Sequence, residues 1–183
     1  MYLATTVSSD KELEQILQLQ QQNLKQHISQ EEKDAQGFLT MQFNLPMLQR
    51  LHAIAPSVII KQEDELAAYA MTVTLEGRQA YPDLEPMFLN FEKLQWKGKP
   101  LYDYQFYVMG QICVSKAHRA KGLFDKLYHH HKEVYSPQFD FIITEISVSN
   151  YRSLQAHKRV GFETIHIYED HMDTWHVVVW DWK

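Results

Sequence analysis

The stretch Val114–His131, VSKAHRAKGLFDKLYHHH, decides how the rest of the chain is read. It follows a strand-like run, YDYQFYVMGQICV (102–114), passes through a basic turn with one glycine, and enters a segment with helical spacing of Leu123, Phe124, Leu127, Tyr128, Val134 and Tyr135. A strand that turns directly into a helix leaves the first N–H groups of the helix unpaired. With the helix dipole, those groups attract an anion. Gly122 lets backbone approach a pyrophosphate closely, and Arg119 can offer two parallel donors to a phosphate. The same residues also describe an ordinary solvated basic turn, so a second signal has to choose between the two.

The second signal is ISVSNYRSLQAHKRVGFETI (146–165). The β-branched run FDFIITEISVS (139–149) reads as a strand ending at Asn150. A helix follows to Val160, and Gly161 sits where a left-handed residue closes a helix. Together the two segments resemble the GNAT superfamily of acyl-CoA-dependent N-acetyltransferases. Its phosphate loop, Arg/Gln-x-x-Gly-x-Gly/Ala, is matched by Arg119 and Gly122, with Phe124 departing from the small last residue. Its second motif is matched by Asn150, Ser153 and Gly161-Phe162, with His157 where the family often has Tyr. The match runs from Tyr104 to about Tyr168.

The resemblance implies one N-acetyltransferase domain over residues 1–183. Its fold would be α/β (α+β), a mixed and mostly antiparallel central sheet flanked by helices, with two central strands splayed apart. The cosubstrate implied is acetyl-CoA. Backbone groups of Ile112, Cys113 and Val114 would bond its pantetheine arm. Backbone N–H groups of Arg119, Ala120, Lys121, Gly122, Leu123 and Phe124 would cradle its pyrophosphate. Asn150 would bond the pantetheine amide region, and Ser153 is small enough for the arm to pass. The reaction implied is direct attack of an amine on the thioester, with a backbone N–H near Val114 polarising the carbonyl and His157 as proton donor. His157 can equally be a packed helix residue.

Outside the motifs, Ser9 with Glu12 and Ser29 with Glu32 have capping-box spacing, and Asn44 precedes a helix with Leu45, Leu48 and Leu51 on one side. SVIIK (57–61) and LAAYAMTVT (66–74) flank the turn Gln62–Glu65 and read as a hairpin. Leu84 to Leu94 has helical spacing. FETIHIYE (162–169) and TWHVVVWDW (174–182) read as the last two strands. Glu145, a lone carboxylate in a strand, is either a general base or a structurally paired group. Cys113 reads as a small buried hydrophobe, not a nucleophile. His129, His130 and His131 point in different directions and read as surface residues. His166, His171 and His176 lack ligand spacing, so no metal is expected. Phe38, Tyr69, Tyr107 and Trp175 are the aromatic candidates for an acceptor pocket, with Gly37-Phe38 at its mouth.

The bulk numbers bound these readings. A chain of 183 residues, 45% hydrophobic and 13% aromatic, supports one domain with a substantial core. A net charge of −5 argues against nucleic acid as the main partner. A single cysteine precludes an internal disulfide and fits a reducing compartment. With no signal-peptide pattern and no apolar run of membrane-spanning length, a soluble cytoplasmic protein with no membrane partner is expected. The acceptor that the resemblance implies is a small-molecule or peptide amine, left open between the two. Two other readings stand beside the enzyme: a non-catalytic acyl-CoA-binding or sensing domain, and an unrelated α/β module for another anion. A homodimer is expected if WHVVVWDW forms an exposed sheet edge.

Overall fold

The computed structural model describes residues 1–183. In chain order the elements are β1 (Tyr2–Thr6), α1 (Asp10–Asn23), α2 (Gln30–Gln36), α3 (Leu45–Ile54), β2 (Val58–Gln62), β3 (Glu65–Thr74), α4 (Glu85–Phe91), β4 (Gln95–Trp96), β5 (Lys99–Pro100), β6 (Phe106–Val114), α5 (Leu123–Tyr135), β7 (Phe141–Ser147), α6 (Tyr151–Val160), β8 (Glu163–Glu169) and β9 (Thr174–Asp181). Three of the helix starts carry the caps that the spacing predicts. Ser9 Oγ accepts from Glu12 N–H, Ser29 Oγ from Glu32 N–H, and Asn44 Oδ1 from Met47 N–H.

Seven strands form one sheet in the order β1-β2-β3-β6-β7-β9-β8. Every neighbouring pair is antiparallel except β6 and β7. Strand side chains alternate between faces, and the alternation sorts the core into two layers. Tyr69, Met71, Phe106, Val108, Phe141, Ile143, Val177 and Val179 pack with α1, α3 and α4. Ala68, Ala70, Tyr107, Met109, Ile142, Ile146 and Val178 pack with α5 and α6. A bulge in the β3–β6 ladder between Ala70 and Thr72 advances β6 by one residue. After it Cys113 joins the α1 layer and Ile112 and Val114 the α5 layer, the reverse of the parity before it.

The β6–β7 pairing is short. Only Phe106–Phe141, Tyr107–Ile142 and Val108–Ile143 are in register, and Thr144 Oγ1 donates to Met109 O (2.9 Å) as the last tie. Below this tie the pair is braced. The Phe106 and Phe141 rings stack 5.4 Å apart, with Trp96, Tyr102 and Tyr104 around them. Fully burying one such ring is worth about 1.5–3 kcal/mol. Beyond the tie, β6 and β7 diverge, as the resemblance implies.

Three expectations are corrected here. WHVVVWDW is not an edge: β9 lies between β7 and β8, and the edges are β1 and β8. That removes the argument for a dimer through β9. Tyr69 and Tyr107 are fully buried core residues and line neither of the two cavities at the divergence of β6 and β7. His131 is also fully buried: its Nδ1 pairs with Tyr107 OH (2.9 Å) and its Nε2 with Ala70 O (3.1 Å). No helix is long and apolar enough to cross a membrane.

Candidate active site

The divergence of β6 from β7 exposes backbone. Ser115 N–H donates to Ala67 O (2.9 Å), so the period of two turns the main-chain groups of Cys113 toward β3 as well. Ile112 and Val114 therefore turn theirs into the gap. Of the three residues read as an added-strand template, two present it. Cys113 faces the core instead, and burial pushes its thiol up to about 12, which leaves it protonated and inert.

At the end of β6 the chain makes a short 3₁₀ turn over Lys116–His118, then the loop Arg119–Gly122 into α5. Ala120 (φ +59) and Gly122 (φ +72) are both left-handed, on either side of Lys121. Alternating handedness of this kind folds consecutive N–H groups into a concave anion nest. An alanine in that conformation costs about 1–2 kcal/mol, a strain of the sort that collects at ligand loops. The first-turn N–H groups of Leu123, Phe124 and Asp125 add to the nest. The Phe124 ring turns away into the layer below, edge-on to Tyr128 (5.2 Å) and His157 (5.1 Å). The large residue thus leaves the backbone side of the loop clear.

The loop's side chains behave differently from the sequence reading. The Arg119 guanidinium does not reach out for a phosphate. It donates to Glu32 Oε1 (3.0 Å) and Asn23 Oδ1 (2.8 Å), tying the loop to α2 and to the end of α1. Lys121 points out of the cleft, donating to Ala117 O (3.1 Å) and lying over the Tyr2 ring. The cations on the cleft wall that the motif did not include come from α6. Arg152, Ala156 and Arg159 share a stripe at i, i+4, i+7 that the sequence does display. Arg159 holds Asp125 (2.7 Å), whose carboxylate would otherwise stand beside the nest.

Asn150 precedes α6 and donates through Nδ2 to Phe38 O (3.1 Å), while its Oδ1 is buried without a partner. That oxygen would lie 2.7 Å from a Cβ placed on Gly37 (φ +80), so only glycine fits there. Ser153 lines the same cleft. These groups enclose a cavity of about 370 Å³ on the α5–α6 side. A second cavity of about 220 Å³ lies against it and shares Phe38, Leu39, Ile112, Asn150 and Ser153 as walls.

His157 and Glu145 both line the second cavity, in opposite states. His157 is buried, and both ring nitrogens are engaged. Nδ1–H donates to Ser153 O (2.8 Å), and Nε2 accepts from Tyr128 OH (2.6 Å), the tautomer that this pair of partners requires. Burial drives its pKa down to about 4. A neutral imidazole with its only proton given to a carbonyl is a structural member of the α5–α6 layer, with no proton to donate into the cavity. Glu145 lies between β6 and β9 on the other face. Its Oε2 accepts from Tyr168 OH (2.8 Å), and its Oε1 is shut off from solvent with no partner. Desolvation, opposed by the Tyr168 bond and helped by the charge of Asp170, pushes its pKa up to about 7. Tyr168 was invisible to motif reading, because its place opposite Glu145 is set by the order β7-β9-β8.

No family model matches the sequence. No curated protein matches it either. Solved structures do match over essentially the full length. The ribosomal-protein-S18-alanine N-acetyltransferase from Escherichia coli aligns over 99% of this chain and 94% of its own, at TM-score 0.62 and 12% identity. Arabidopsis thaliana NAA60 in complex with acetyl-CoA aligns over 100% of both chains, at 0.60 and 12%. A putative acetyltransferase of the GNAT family from Desulfovibrio desulfuricans aligns over 99% and 98%, at 0.58 and 13%. From its first strand to its last, this chain has the fold of the GNAT superfamily.

Proposed function

We propose that this protein is an N-acetyltransferase that moves the acetyl group of acetyl-CoA to an amine by direct attack. The residues present suit the cosubstrate. The nest at Ala120–Asp125 suits a pyrophosphate, the free backbone of Ile112 and Val114 suits an extended pantetheine arm, and the orphan Asn150 Oδ1 suits an amide N–H. The chemistry needs a deprotonated amine and a polarised thioester carbonyl. Glu145 fills the first need: its carboxylate takes one proton from the ammonium before attack, and the neutral amine then forms the N–C bond as the C–S bond breaks. The second proton, released by the nitrogen as the amide forms, passes to the departing thiolate directly or through water. His157 supports this arrangement only by packing.

The observation that carries the reading is Glu145, a carboxyl group on the wall of the second cavity with one oxygen buried and unpaired and a pKa raised to about 7. Such an isolated, shifted carboxylate in a cleft is a mark of function more often than of stability. The test has two stages. Calorimetry with CoA measures the nest and the gap, and absence of binding removes the proposal. Thiol release from acetyl-CoA with a panel of amines then measures transfer. CoA binding without release by any amine would favour the acyl-CoA-binding domain over the enzyme.

A further inference from the structure

The second cavity has a charge character distinct from the first. Three carboxylates line it, Glu145 at the gap with Asp83 and Asp170 farther out, and no lysine or arginine does. None of the three has an ion-pair partner anywhere in the chain. Asp170 is held in place, since its Oδ1 accepts from the N–H groups of Met172 (2.8 Å) and Asp173 (3.0 Å) and from Trp175 Nε1 (3.0 Å). Between the carboxylates the wall is apolar and adaptable: Met41, Leu84, Met87 and Met172, with Phe38 and Trp175. The first cavity is the opposite, with Arg119, Arg152 and Arg159 on its walls.

Resting on the acetyltransferase reading above, we propose that the acceptor is a small primary amine on an apolar body, an arylalkyl- or alkylamine, with no anionic group near the nitrogen. The three carboxylates draw an ammonium inward, toward the one placed to deprotonate it. An amino acid brings its own carboxylate within a few bonds of the amine. That charge would face Asp83 and Asp170, joined by Glu145 when it is ionised, with no lysine or arginine on the wall and only His171 beside Asp170 to offset them, a repulsive device that selects against it. The methionine and aromatic wall rewards each buried methylene by about threefold to fourfold in affinity. At about 220 Å³ the cavity holds one ring and its side chain.

The experiment uses matched pairs on the full chain, after CoA binding has been measured by calorimetry. Thiol release from acetyl-CoA is followed with phenethylamine against phenylalanine, tryptamine against tryptophan, and pentylamine against norleucine, with the peptide Phe-Ala-Ala as a further arm. Each amine is expected to exceed its amino acid by at least about tenfold in kcat/KM, the scale of like-charge repulsion at close range. The double variant Asp83→Asn/Asp170→Asn is expected to narrow that ratio, mainly through KM. Amino acids equal to or better than their amines, a ratio unchanged in the double variant, or a preference for the peptide overturns the inference. CoA binding with no turnover of any arm also overturns it, and leaves the cofactor side standing. Absence of CoA binding instead removes the reading beneath it.

Discussion

The two cavities that meet where β6 leaves β7 are built in opposite ways. On the α5–α6 side the groups proposed to hold the cofactor are mainly backbone, from one loop, one helix start and the free edge of one strand, with side chains of α6 on the facing wall. The far side is assembled from side chains of α4, β7, β8, β9 and the segment after α2, which lie far apart in sequence. The contrast carries over to single residues. His157 and Glu145 line one cavity, but the imidazole has spent both nitrogens on neighbours and the carboxylate has kept one oxygen free. The lesson is that a polar residue at a cleft is read by what its atoms still lack.

Four measurements break or sharpen this contrast. The largest effect is expected for Glu145→Gln. Loss of a general base lowers kcat/KM by about 10²–10⁴, with CoA affinity unchanged. The base is the carboxylate form, so wild-type activity rises with pH through about 7, and the variant loses that rise. The raised pKa also means that wild-type stability falls as pH climbs from 4.5 through about 7, a decline the variant does not share. A wild-type rate in the variant would break the division of roles.

Next comes His157→Phe, which leaves the buried Tyr128 OH without its acceptor. An orphaned group of this kind costs about 1–3 kcal/mol by urea denaturation. The lowered pKa of His157 has the reverse linkage: it favours the fold above 6.5, and that contribution is lost as pH falls through about 4. The Phe variant loses this part of the acid sensitivity and keeps the shape of the pH–rate profile. Collapse of the rate at unchanged stability would return His157 to the chemistry.

Smaller again is Gly122→Ala. No atom lies within 4 Å of the added Cβ, so the stability cost is conformational, about 1 kcal/mol. The strain of a side chain at φ +72 disturbs the nest, so CoA binding is expected to weaken in calorimetry while the acceptor's KM holds. The smallest effect is expected for Arg119→Ala. The lost bonds to Glu32 and Asn23 free α2, which appears as faster amide exchange over residues 30–36 with little change in melting temperature.

Ile112, Val114, Gly122, Asn150 and Ser153, read in the sequence as the side proposed for the cofactor, do line one cavity. Gly122, Asn150 and Gly161 mark backbone conformations, and such marks survive without knowledge of the tertiary fold. Ala120 is the exception: nothing in its type announces a left-handed residue, and only the strain of the loop places it there. The side-chain assignments fared less well, because direction is set by partners distant in sequence. Arg119 turned to Glu32, Lys121 to Ala117 and His157 to Tyr128. The acceptor side could not be read because Glu145, Tyr168 and Asp170 converge only once β9 is inserted between β7 and β8. The hairpin β4–β5 is hidden for the same reason as Ala120: Lys97 (φ +48) holds a left-handed turn position where Asn, Asp or Gly would be the signal.

The three-residue pairing of β6 with β7 has a mechanical consequence. It divides the sheet into two blocks, β1-β2-β3-β6 and β7-β9-β8, each zipped along long antiparallel ladders and joined to one another by a short parallel seam. Cooperative units in a protein part where cross-bonding is sparsest, and here that line runs through the place proposed for catalysis. The aromatic stack of Phe106 on Phe141 is then the rivet that keeps the walls of both cavities in one piece.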